Sequence, residues 1–268
     1  MSLSAPTLNS SDGELLVERR EAVLWLTLNR PERRNALTDA VLLQMAHVVR
    51  EAGTDPSLRA IVLTGAGEQA FCAGADLTPG DTPFQSDPAR LTLPLADLAR
   101  AVHGCHVPLV GRINGVCMAG GMGLFGLCDL AVAADHARFG LPEVRIGLFP
   151  MQVLTMLRDL IPPRRLNEMC MTGRPIDAPT ALSLGLLNRV VPAAELDAAV
   201  DMLLDDLLAA SPIALRRGKY AMRAVQGMGF HQMVAFTESN IGAMIQTRDA
   251  REGLAAFNER RRPSWVGC

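Results

Sequence analysis

The first two-thirds of the chain alternates short apolar runs, rich in β-branched residues, with glycine-rich turns and amphipathic stretches. Such runs predict β-strands, and the amphipathic stretches between them predict helices. The clearest predicted strands are Val23–Leu28, Ala60–Gly65, residues 109–114 and Leu130–Ala134. Strands that alternate with helices along the chain are typical of an α/β domain.

An amphipathic helix is predicted between the first two of these strands. It begins near Thr38, a good N-cap residue, and Gly53 is expected to end it. Apolar residues recur between these two points at the spacing of one helix face. They are Leu42, Met45, Val49 and Ala52.

The strand signal stops near Leu196, and the rest of the chain is predicted to be helical. Ser211 followed by Pro212 indicates a helix start, because it places an N-cap residue before a proline at the first helical position. The helical pattern continues to Arg262. This change of pattern suggests two parts of the chain.

We therefore divide the chain into an α/β core, residues 1–195, and a helical C-terminal segment, residues 196–268. The segment is too small and too amphipathic to fold comfortably alone, so it is expected to pack against the core or another subunit. Within it, Asp249 followed by Glu252 resembles a capping box for the last helix. Residues 79–94, rich in Pro, Asp and Ser, are expected to form a mobile loop.

Composition and charge narrow the classes of function. Of 268 residues, 49% are hydrophobic and 20% are charged, close to the average of soluble globular proteins. A net charge of -2 gives no electrostatic footprint for nucleic acid or an acidic membrane. The longest apolar region, residues 116–134, is interrupted by glycines and Asp129, so no transmembrane helix is predicted. Residues 1–14 are polar and lack a signal-peptide pattern, and a cytoplasmic protein is expected.

The glycine-rich segment Gly120–Gly126 is open to three interpretations. It contains a GxGxxG pattern, but Asp135 comes too early to be the acidic residue that a dinucleotide fold places about 20 residues later. The glycines could simply let a helix pack closely against a sheet. Alternatively, free N–H groups at the start of this helix could face an anion or a developing oxyanion, and a similar turn at residues 71–77 could supply a second donor.

Six segments, spread in order over nearly the whole chain, together carry a family signature. They are LNRPERRNAL (28–37), FCAGADL (71–77), NGVCMAGGMGLFGLCDLAVAA (114–134), FGLPEVRIGLFP (139–150), TGRPIDAPTALSLGLLNRVVP (172–192) and EGLAAFNERRRPSW (252–265). In combination they resemble the crotonase superfamily, which includes the enoyl-CoA hydratases and isomerases. The resemblance implies an α/β fold, with a crotonase-like ββα spiral core and a helical C-terminal segment.

The resemblance also implies a CoA thioester as the substrate. The thioester oxygen would lie between the backbone N–H groups of Ala75 and Gly120, whose dipoles would stabilise an enolate. By the same resemblance, Glu143 is the general base, a carboxylate partly desolvated by an apolar acyl pocket. Without the resemblance, Glu143 would be interpreted as an exposed carboxylate in a loop or at a helix start.

The chain departs from the hydratase pattern at Gly123, where hydratases of this family carry a second catalytic glutamate. Because glycine cannot transfer a proton, we favour isomerisation of an enoyl-CoA double bond, which one carboxylate can perform, over efficient hydration. A glutamate introduced at this position would lie one helical turn after Gly120 and is expected to point at the same substrate.

Several alternatives to this isomerase remain. One is an enoyl-CoA hydratase with a substitute acid, for which the loop offers Asp81 and Asp87, although nothing in the sequence places them at the site. Another is a CoA-ester-binding protein without activity. A third is a different reaction of the superfamily, such as thioester hydrolysis, decarboxylation or dehalogenation, for which no distinctive residue is present.

The resemblance also assigns CoA contacts and an assembly. The contact residues are Arg33, Arg34, Ala36, Ala73, Phe257 and Arg260. The last two lie near the end of the chain and would close the adenine site of a neighbouring subunit, so a homotrimer or a dimer of trimers is expected. Adjacent arginines are, however, often plain surface charges. The cysteines and histidines show no CxxC or HxxxH spacing, and the implied chemistry needs no metal or redox cofactor.

Overall fold

The computed structural model of the protein describes residues 12–77 and 91–268. Most of the segment expected to be a mobile loop, with Asp81 and Asp87, lies outside the described residues. Pro94, its last residue, begins a helix. Within the described ranges, no helix is long and apolar enough to cross a membrane.

A six-stranded sheet forms the centre of the fold. Its strands are β1 (Leu15–Arg20), β2 (Val23–Leu28), β3 (Ala60–Gly65), β5 (Leu109–Ile113), β7 (Leu130–Ala134) and β10 (Arg189–Val191). They lie in the order β1-β2-β3-β5-β7-β10, and all neighbours are parallel except β1 and β2. Every residue of β3 is buried, as expected for a parallel strand covered on both faces. The four predicted strands are confirmed, although one ends at Ile113.

A second, smaller sheet lies beside the first and was not predicted from the sequence. Its strands are β4 (Ala70–Cys72), β6 (Val116–Met118), β8 (Arg138–Gly140) and β9 (Ile176–Asp177). The first three are parallel neighbours, and β9 pairs antiparallel with β8. These strands have only two or three residues each, too few for an alternating pattern to be recognised.

Ten α-helices occur in the described ranges. They are α1 (Asp39–Thr54), α2 (Pro94–Gly104), α3 (Gly120–Gly126), α4 (Met151–Leu157), α5 (Pro163–Thr172), α6 (Ala178–Ser183), α7 (Leu196–Ala209), α8 (Pro212–Ala224), α9 (Phe230–Ile245) and α10 (Arg248–Glu259). The helix predicted after Thr38 is confirmed as α1. The Thr38 side chain accepts a hydrogen bond from the Val41 N–H, and the predicted apolar face is buried. The helix ends at Thr54, one residue beyond the predicted end.

The two faces of the large sheet are covered by different parts of the chain. The main core, on one face, includes the apolar sides of α1 and α2. On the other face, α7 buries Leu196, Ala199, Val200 and Leu204 in a cluster with residues of β2, β3, β5 and β7. Burying a Leu or Val side chain contributes about 1.5 to 3 kcal/mol. The first helix of the C-terminal segment therefore completes the core of the sheet.

Helix α8 is bound to the core by its cationic side chains, which donate hydrogen bonds to backbone carbonyl groups at the ends of other helices. Arg216 donates to backbone oxygens at and just after the C-terminus of α1, and Arg223 does the same at the C-terminus of α2. Lys219 is buried between them, where it donates to the Val107 oxygen and pairs with Asp129 at 2.6 Å. A positive charge at a helix C-terminus satisfies free carbonyls and complements the helix dipole.

The last helices differ from the prediction in two respects. The helical run expected up to Arg262 is divided into α8, α9 and α10, and it ends at Glu259. The N-cap of α10 is Thr247, which accepts from the Ala250 N–H, so the capping box proposed for Asp249 is wrong. Asp249 is instead buried, and it accepts hydrogen bonds from Ser211 and from backbone N–H groups near the C-terminus.

Truncation after Glu195 is expected to give insoluble protein, because it removes α7 and exposes an apolar face of the sheet. Truncation after Val225 keeps α7 and α8, and should give soluble protein with native-like circular dichroism. The measurements are the soluble yield and the thermal unfolding of the two truncated proteins. A protein truncated after Glu195 that is soluble and unfolds cooperatively would contradict this account of α7.

Candidate active site

A pocket of about 770 Å³ opens between α1, α4 and the turns that follow β4 and β6. Its wall is mostly apolar, with a few polar groups, as is usual for sites that bind small molecules. Its lining includes Leu37, Leu42, Asp39, Ala75, Asp76, Leu95, Gly120, Glu143 and residues 148–153. The structure thus brings together Ala75, Gly120 and Glu143, which lie far apart in the sequence.

The small sheet explains why these three residues meet. Ala75, Gly120 and Glu143 each follow the end of one of its strands, β4, β6 and β8, by two or three residues. These strands are parallel neighbours, so their carboxyl ends lie along one edge of the sheet. Ligands of open α/β sheets typically bind at this edge.

The turn that carries Ala75 is fixed by backbone hydrogen bonds to the loop before α1. The Leu37 N–H donates to the Gly74 oxygen, the Asp76 N–H donates to the Leu37 oxygen, and the Ala73 N–H donates to the Arg34 oxygen. The Ala75 N–H has no backbone acceptor among the described residues. The neighbouring amides are therefore paired, while that of Ala75 remains available to a ligand.

A largely buried ion pair holds the same turn. Arg30 and Asp76 pair at 2.7 Å, with side chains only 15% and 10% exposed. Arg30 also donates to the Ala36 oxygen and pairs with Glu14. Asp76 therefore serves to anchor the turn, although it lines the pocket. Charge-assisted hydrogen bonds of this kind are shorter and stronger than neutral ones.

The second turn has a strained backbone. Ala119, between β6 and α3, has φ 49° and ψ -120°, a conformation that L-residues rarely adopt. Its N–H donates to the Gly140 oxygen, which fixes it to β8. Strain of this type costs about 1 to 3 kcal/mol and is concentrated at functional sites. The Gly120 N–H that follows has no backbone acceptor in residues 12–77 and 91–268.

The two turns are in direct contact. A Cβ atom built on Gly74, which has φ 104°, would lie 2.8 Å from the Ala119 Cβ and 3.4 Å from the Gly120 nitrogen. A Cβ atom built on Gly120 would lie 3.7 Å from the Ala75 nitrogen. Glycine is therefore required at position 74, where the backbones approach most closely. The unpaired amides of Ala75 and Gly120 belong to adjoining backbone segments.

The glycines of the segment Gly120–Gly126 have different roles in the structure. Gly121 serves close packing, since a Cβ atom there would lie 2.3 Å from the Cys72 oxygen of β4. Gly126 lets α3 approach α4 in the same way, with 2.8 Å to the Met156 oxygen. Gly120 instead lines the pocket. Helix α3 has only seven residues and Asp135 directly follows β7, so the spacing does not match a dinucleotide fold.

Glu143 lies in a 3₁₀ turn, Pro142–Ile146, on the pocket wall. Its Oε2 atom is buried and has no hydrogen-bond partner among the described residues. Burial raises the pKa of this carboxyl above its ordinary value, while a hydrogen bond from its own backbone partly opposes the shift. A half-buried carboxylate with a raised pKa and an unpaired oxygen is suited to accept a proton from a ligand.

Gly123 is buried where α3 packs against apolar side chains of α2 and α4. A Cβ atom there would lie 3.2 Å from the Met156 sulfur, 3.4 Å from Val153 and 3.7 Å from Leu95. Val153 and Leu95 also line the pocket, and the expectation that a glutamate at this position would point at the substrate stays a prediction. A glutamate would also overpack the contact between α3 and α4, at a typical cost of about 1 to 3 kcal/mol.

The sequence-based prediction missed Gln152, which lies on α4 and lines the pocket. Its Oε1 atom is buried and, within the part of the chain that the structure describes, has no hydrogen-bond partner. It also missed two pocket carboxylates, the ion-paired Asp76 and the exposed Asp39 at the start of α1. Only the polar character of Gln152 within the apolar run 146–154 could have marked it in the sequence.

The residues assigned to CoA lie around the pocket or away from it. Arg33 and Arg34 are exposed on the loop before α1, and Ala36 and Ala73 are in the hydrogen-bonded segments that flank the pocket. Phe257, on α10, is 80% exposed, and Arg260 follows the end of that helix. None of these six residues is among the lining residues of the pocket.

No group of three or more potential metal ligands occurs among the residues that the structure describes. The pocket offers hydrogen-bond donors, the carboxylates of Asp39, Asp76 and Glu143, and apolar surface.

Comparison with known proteins gives consistent matches over nearly the whole chain. A family model described as enoyl-CoA hydratase/isomerase matches residues 18–267. The 2,3-dehydroadipyl-CoA hydratase of Escherichia coli K12 is 34% identical, over 95% of this chain and 99% of that protein. The carnitinyl-CoA dehydratase of Proteus mirabilis is 35% identical, over 92% of this chain and 96% of that protein.

Solved structures give the same result for the fold. An enoyl-CoA hydratase from Mycobacterium smegmatis superposes with a TM-score of 0.88 at 32% identity, covering 95% of this chain and 99% of that one. An enoyl-CoA hydratase from Bacillus anthracis has a TM-score of 0.88 at 30% identity, covering 96% and 100%. The α/β, crotonase-like fold expected from the sequence is confirmed.

Proposed function

Because this chain belongs to the enoyl-CoA hydratase/isomerase family, we propose that it is an enzyme that moves the double bond of an enoyl-CoA thioester, with Glu143 as the base. The proposal rests mainly on one observation. Glu143, Ala75 and Gly120 line the same pocket, and among the described residues the Glu143 Oε2 atom has no hydrogen-bond partner and the two amides have no backbone acceptor. A base and an oxyanion site side by side are what enolate chemistry requires.

The amides of Ala75 and Gly120 would receive the thioester oxygen. When a proton leaves C2, negative charge moves to this oxygen, and two fixed N–H dipoles stabilise it without reorganisation. The hydrogen bonds and the ion pair around Ala75, together with the strained backbone at Ala119, support this role because they fix both donors before substrate binds.

Glu143 would transfer the proton within the substrate. In a 3-enoyl-CoA it removes a proton from C2, which gives a dienolate, and then returns the proton to C4 of the 2-enoyl-CoA product. The base is restored, and no water or second acid is consumed. The raised pKa of Glu143 favours proton uptake during the first half of this cycle.

Isomerisation is proposed as the faster reaction because the second hydratase carboxylate is absent. Gly123 has no side chain, and Val153, Met156 and Leu95 fill the space in front of it with apolar atoms. Loss of one general acid or base typically costs about 10² to 10⁴ in rate.

Hydration of an enoyl-CoA, or the reverse dehydration, is the second candidate. It is favoured by the unpaired Gln152 oxygen in the same pocket, which could hold a water or a hydroxyl group. The two curated relatives compared above are named for hydratase and dehydratase activity. A substitute acid at the site, such as Asp39, would serve the same reaction.

The CoA moiety would extend from the pocket along the loop before α1. Backbone groups near Ala36 and Ala73 lie beside the pocket, and the exposed Arg33 and Arg34 could meet phosphate groups. CoA would thus enter as part of the substrate, and the proposed chemistry uses no metal or redox cofactor.

A homotrimer, or a dimer of trimers, is the proposed assembly. Helix α9 has no buried residue in the single chain although it carries large apolar side chains, among them Phe230, Ile241 and Ile245. A helix of this kind gains stability when a second subunit covers its apolar side. Phe257 and Arg260 would then reach a neighbouring CoA site.

The test is to incubate the protein separately with a 3-enoyl-CoA and with crotonyl-CoA, and to analyse the products by chromatography and mass spectrometry. The expected result is a shifted double bond without change of mass, formed faster than the hydrated product. Hydration faster than isomerisation would favour the second candidate. Binding of both esters without conversion of either would identify a CoA-ester-binding protein and refute the proposal.

A further inference from the structure

We propose that Gln152 binds the reacting oxygen in this pocket: the attacking water when an enoyl-CoA is hydrated, and the C3 hydroxyl group when a 3-hydroxyacyl-CoA is dehydrated. The inference rests on the proposed enolate chemistry and adds to it the residue that makes water addition possible without a glutamate at position 123.

The first observation is that two side-chain oxygens of one pocket are buried and have no hydrogen-bond partner among the described residues. They are Oε2 of Glu143 and Oε1 of Gln152. Buried polar atoms are paired in the great majority of cases, so an unpaired one on a residue that lines a pocket calls for a partner such as a ligand or a water. Two such acceptors match the two protons of one water molecule.

The second observation concerns the helix packing that positions Gln152 at the pocket. Val153 and Met156 of α4 pack in front of Gly123, where the second carboxylate would begin. Gln152 is one helical turn before Met156, so the two share a face of α4. The close approach of α3 and α4 that crowds a side chain at position 123 also places the amide of Gln152 at the pocket.

The chemistry of an amide fits the binding of an oxygen rather than proton transfer. Gln cannot take up a proton at neutral pH, but it can accept a hydrogen bond at Oε1 and donate one at Nε2. A water that donates one proton to Gln152 and the other to Glu143 keeps a lone pair free for C3.

The reaction balances with one carboxylate. In hydration, Glu143 takes a proton from the bound water, the oxygen forms a bond to C3, and the thioester becomes an enolate. Glu143 then returns the proton to C2, so one water is added across the double bond. In dehydration, Glu143 takes the C2 proton, the C3–O bond breaks, and the proton passes to the leaving oxygen, which departs as water. Gln152 holds that oxygen in both directions.

Gln152→Met is the variant that tests this role, because Met keeps the length of the side chain and removes its hydrogen bonding. Hydration of crotonyl-CoA by the variant is expected to fall about tenfold to a hundredfold, the range typical of a misplaced reactant. Exchange of the C2 protons of butyryl-CoA with deuterated water should be unchanged, because that exchange uses Glu143 and the two amides but no oxygen at C3.

The matched control is Thr155→Ala on an exposed part of the same helix, where the Thr155 hydroxyl donates to the Gln152 backbone oxygen. It should leave both hydration and exchange unchanged. Gln152→Glu is a second variant, which keeps an acceptor oxygen but adds charge. It should retain more hydration than the Met variant and should shift the pH profile of exchange upward, because a second carboxylate nearby disfavours ionisation of Glu143.

The outcomes distinguish this inference from the proposed function. A wild-type protein that exchanges C2 protons but does not hydrate crotonyl-CoA overturns the role of Gln152 and leaves the enolate chemistry intact. Equal losses of hydration and exchange in Gln152→Met also overturn it, since they indicate a general structural role. Absence of exchange in the wild-type protein refutes the proposed function, and the role of Gln152 with it.

Discussion

Glu143→Gln is expected to slow double-bond isomerisation about 10² to 10⁴-fold while leaving the affinity for a CoA ester nearly unchanged. Gln keeps the shape of Glu but cannot take up a proton at neutral pH, so only the proton-transfer step is lost. The measurements are the isomerisation rate with saturating 3-enoyl-CoA and the dissociation constant of a saturated acyl-CoA.

The same substitution should stabilise the protein at neutral pH. The pKa of Glu143 is raised in the folded state by burial, so its ionised form opposes folding. The corresponding stability is fully present below the unfolded pKa and is lost as the pH rises through the folded pKa. The free energy of unfolding of Glu143→Gln should therefore exceed that of the wild type at pH 7, and the difference should vanish in acid.

For the wild-type enzyme, the isomerisation rate should rise with pH through the raised pKa of Glu143, above the ordinary value of 4.5. The matched control is Glu195→Gln, which changes an exposed glutamate in another 3₁₀ turn and should alter neither rate nor stability. Full activity in Glu143→Gln would show that another group removes the proton, and Asp39 would be the next residue to test.

Gly74→Ala should have the second large effect, a loss of about 10² to 10³ in isomerisation rate, the range seen when one oxyanion donor is removed. The new Cβ would lie 2.8 Å from the Ala119 Cβ, and the backbone has φ 104°. The turns that carry Ala75 and Gly120 must then move apart. The added backbone strain should also lower the free energy of unfolding by about 1 to 3 kcal/mol.

A second substitution separates steric from backbone effects. Ala119→Gly removes the Cβ that the new methyl group meets, so the double variant should recover part of the lost activity. Gly104→Ala is the control, because a Cβ atom there meets nothing within 4 Å and the backbone has no positive φ. If Gly74→Ala retains wild-type rates, the amides of Ala75 and Gly120 do not act as the paired oxyanion donors proposed above.

The sequence predicted the elements whose pattern is local and long enough to be recognised. Helix α1 and the four long strands were correct to within one residue, because cap, periodicity and apolar run agreed. The short strands of the small sheet were missed. They exist because neighbouring strands pair with them, which no local pattern of two or three residues can show.

The residues of the pocket divide in the same way. Ala75, Gly120 and Glu143 were predicted from motifs, and the structure places all three in the lining of one pocket. Gln152 is marked in the sequence only as a polar residue within an apolar run, because its position at the pocket depends on the packing of α4 against α3. The positive φ of Ala119 could not be predicted either, since alanine does not favour this conformation and neighbouring residues impose it. Asp249 resembled a helix cap because Glu252 follows it three residues later, but its partners near the C-terminus are tertiary contacts that the local sequence does not show.

The bonds from α8 to the ends of α1 and α2 have a consequence for biosynthesis. Arg216 and Arg223 satisfy carbonyls of helices that leave the ribosome long before they do. At about 5 to 20 residues per second, residues 196–223, which include α7 and both arginines, take roughly 1.4 to 6 s to synthesise. During that interval the sheet has one uncovered apolar face, and two helices lack their partners. The nascent chain would pass through a period in which it depends on chaperones or on slow collapse to avoid aggregation.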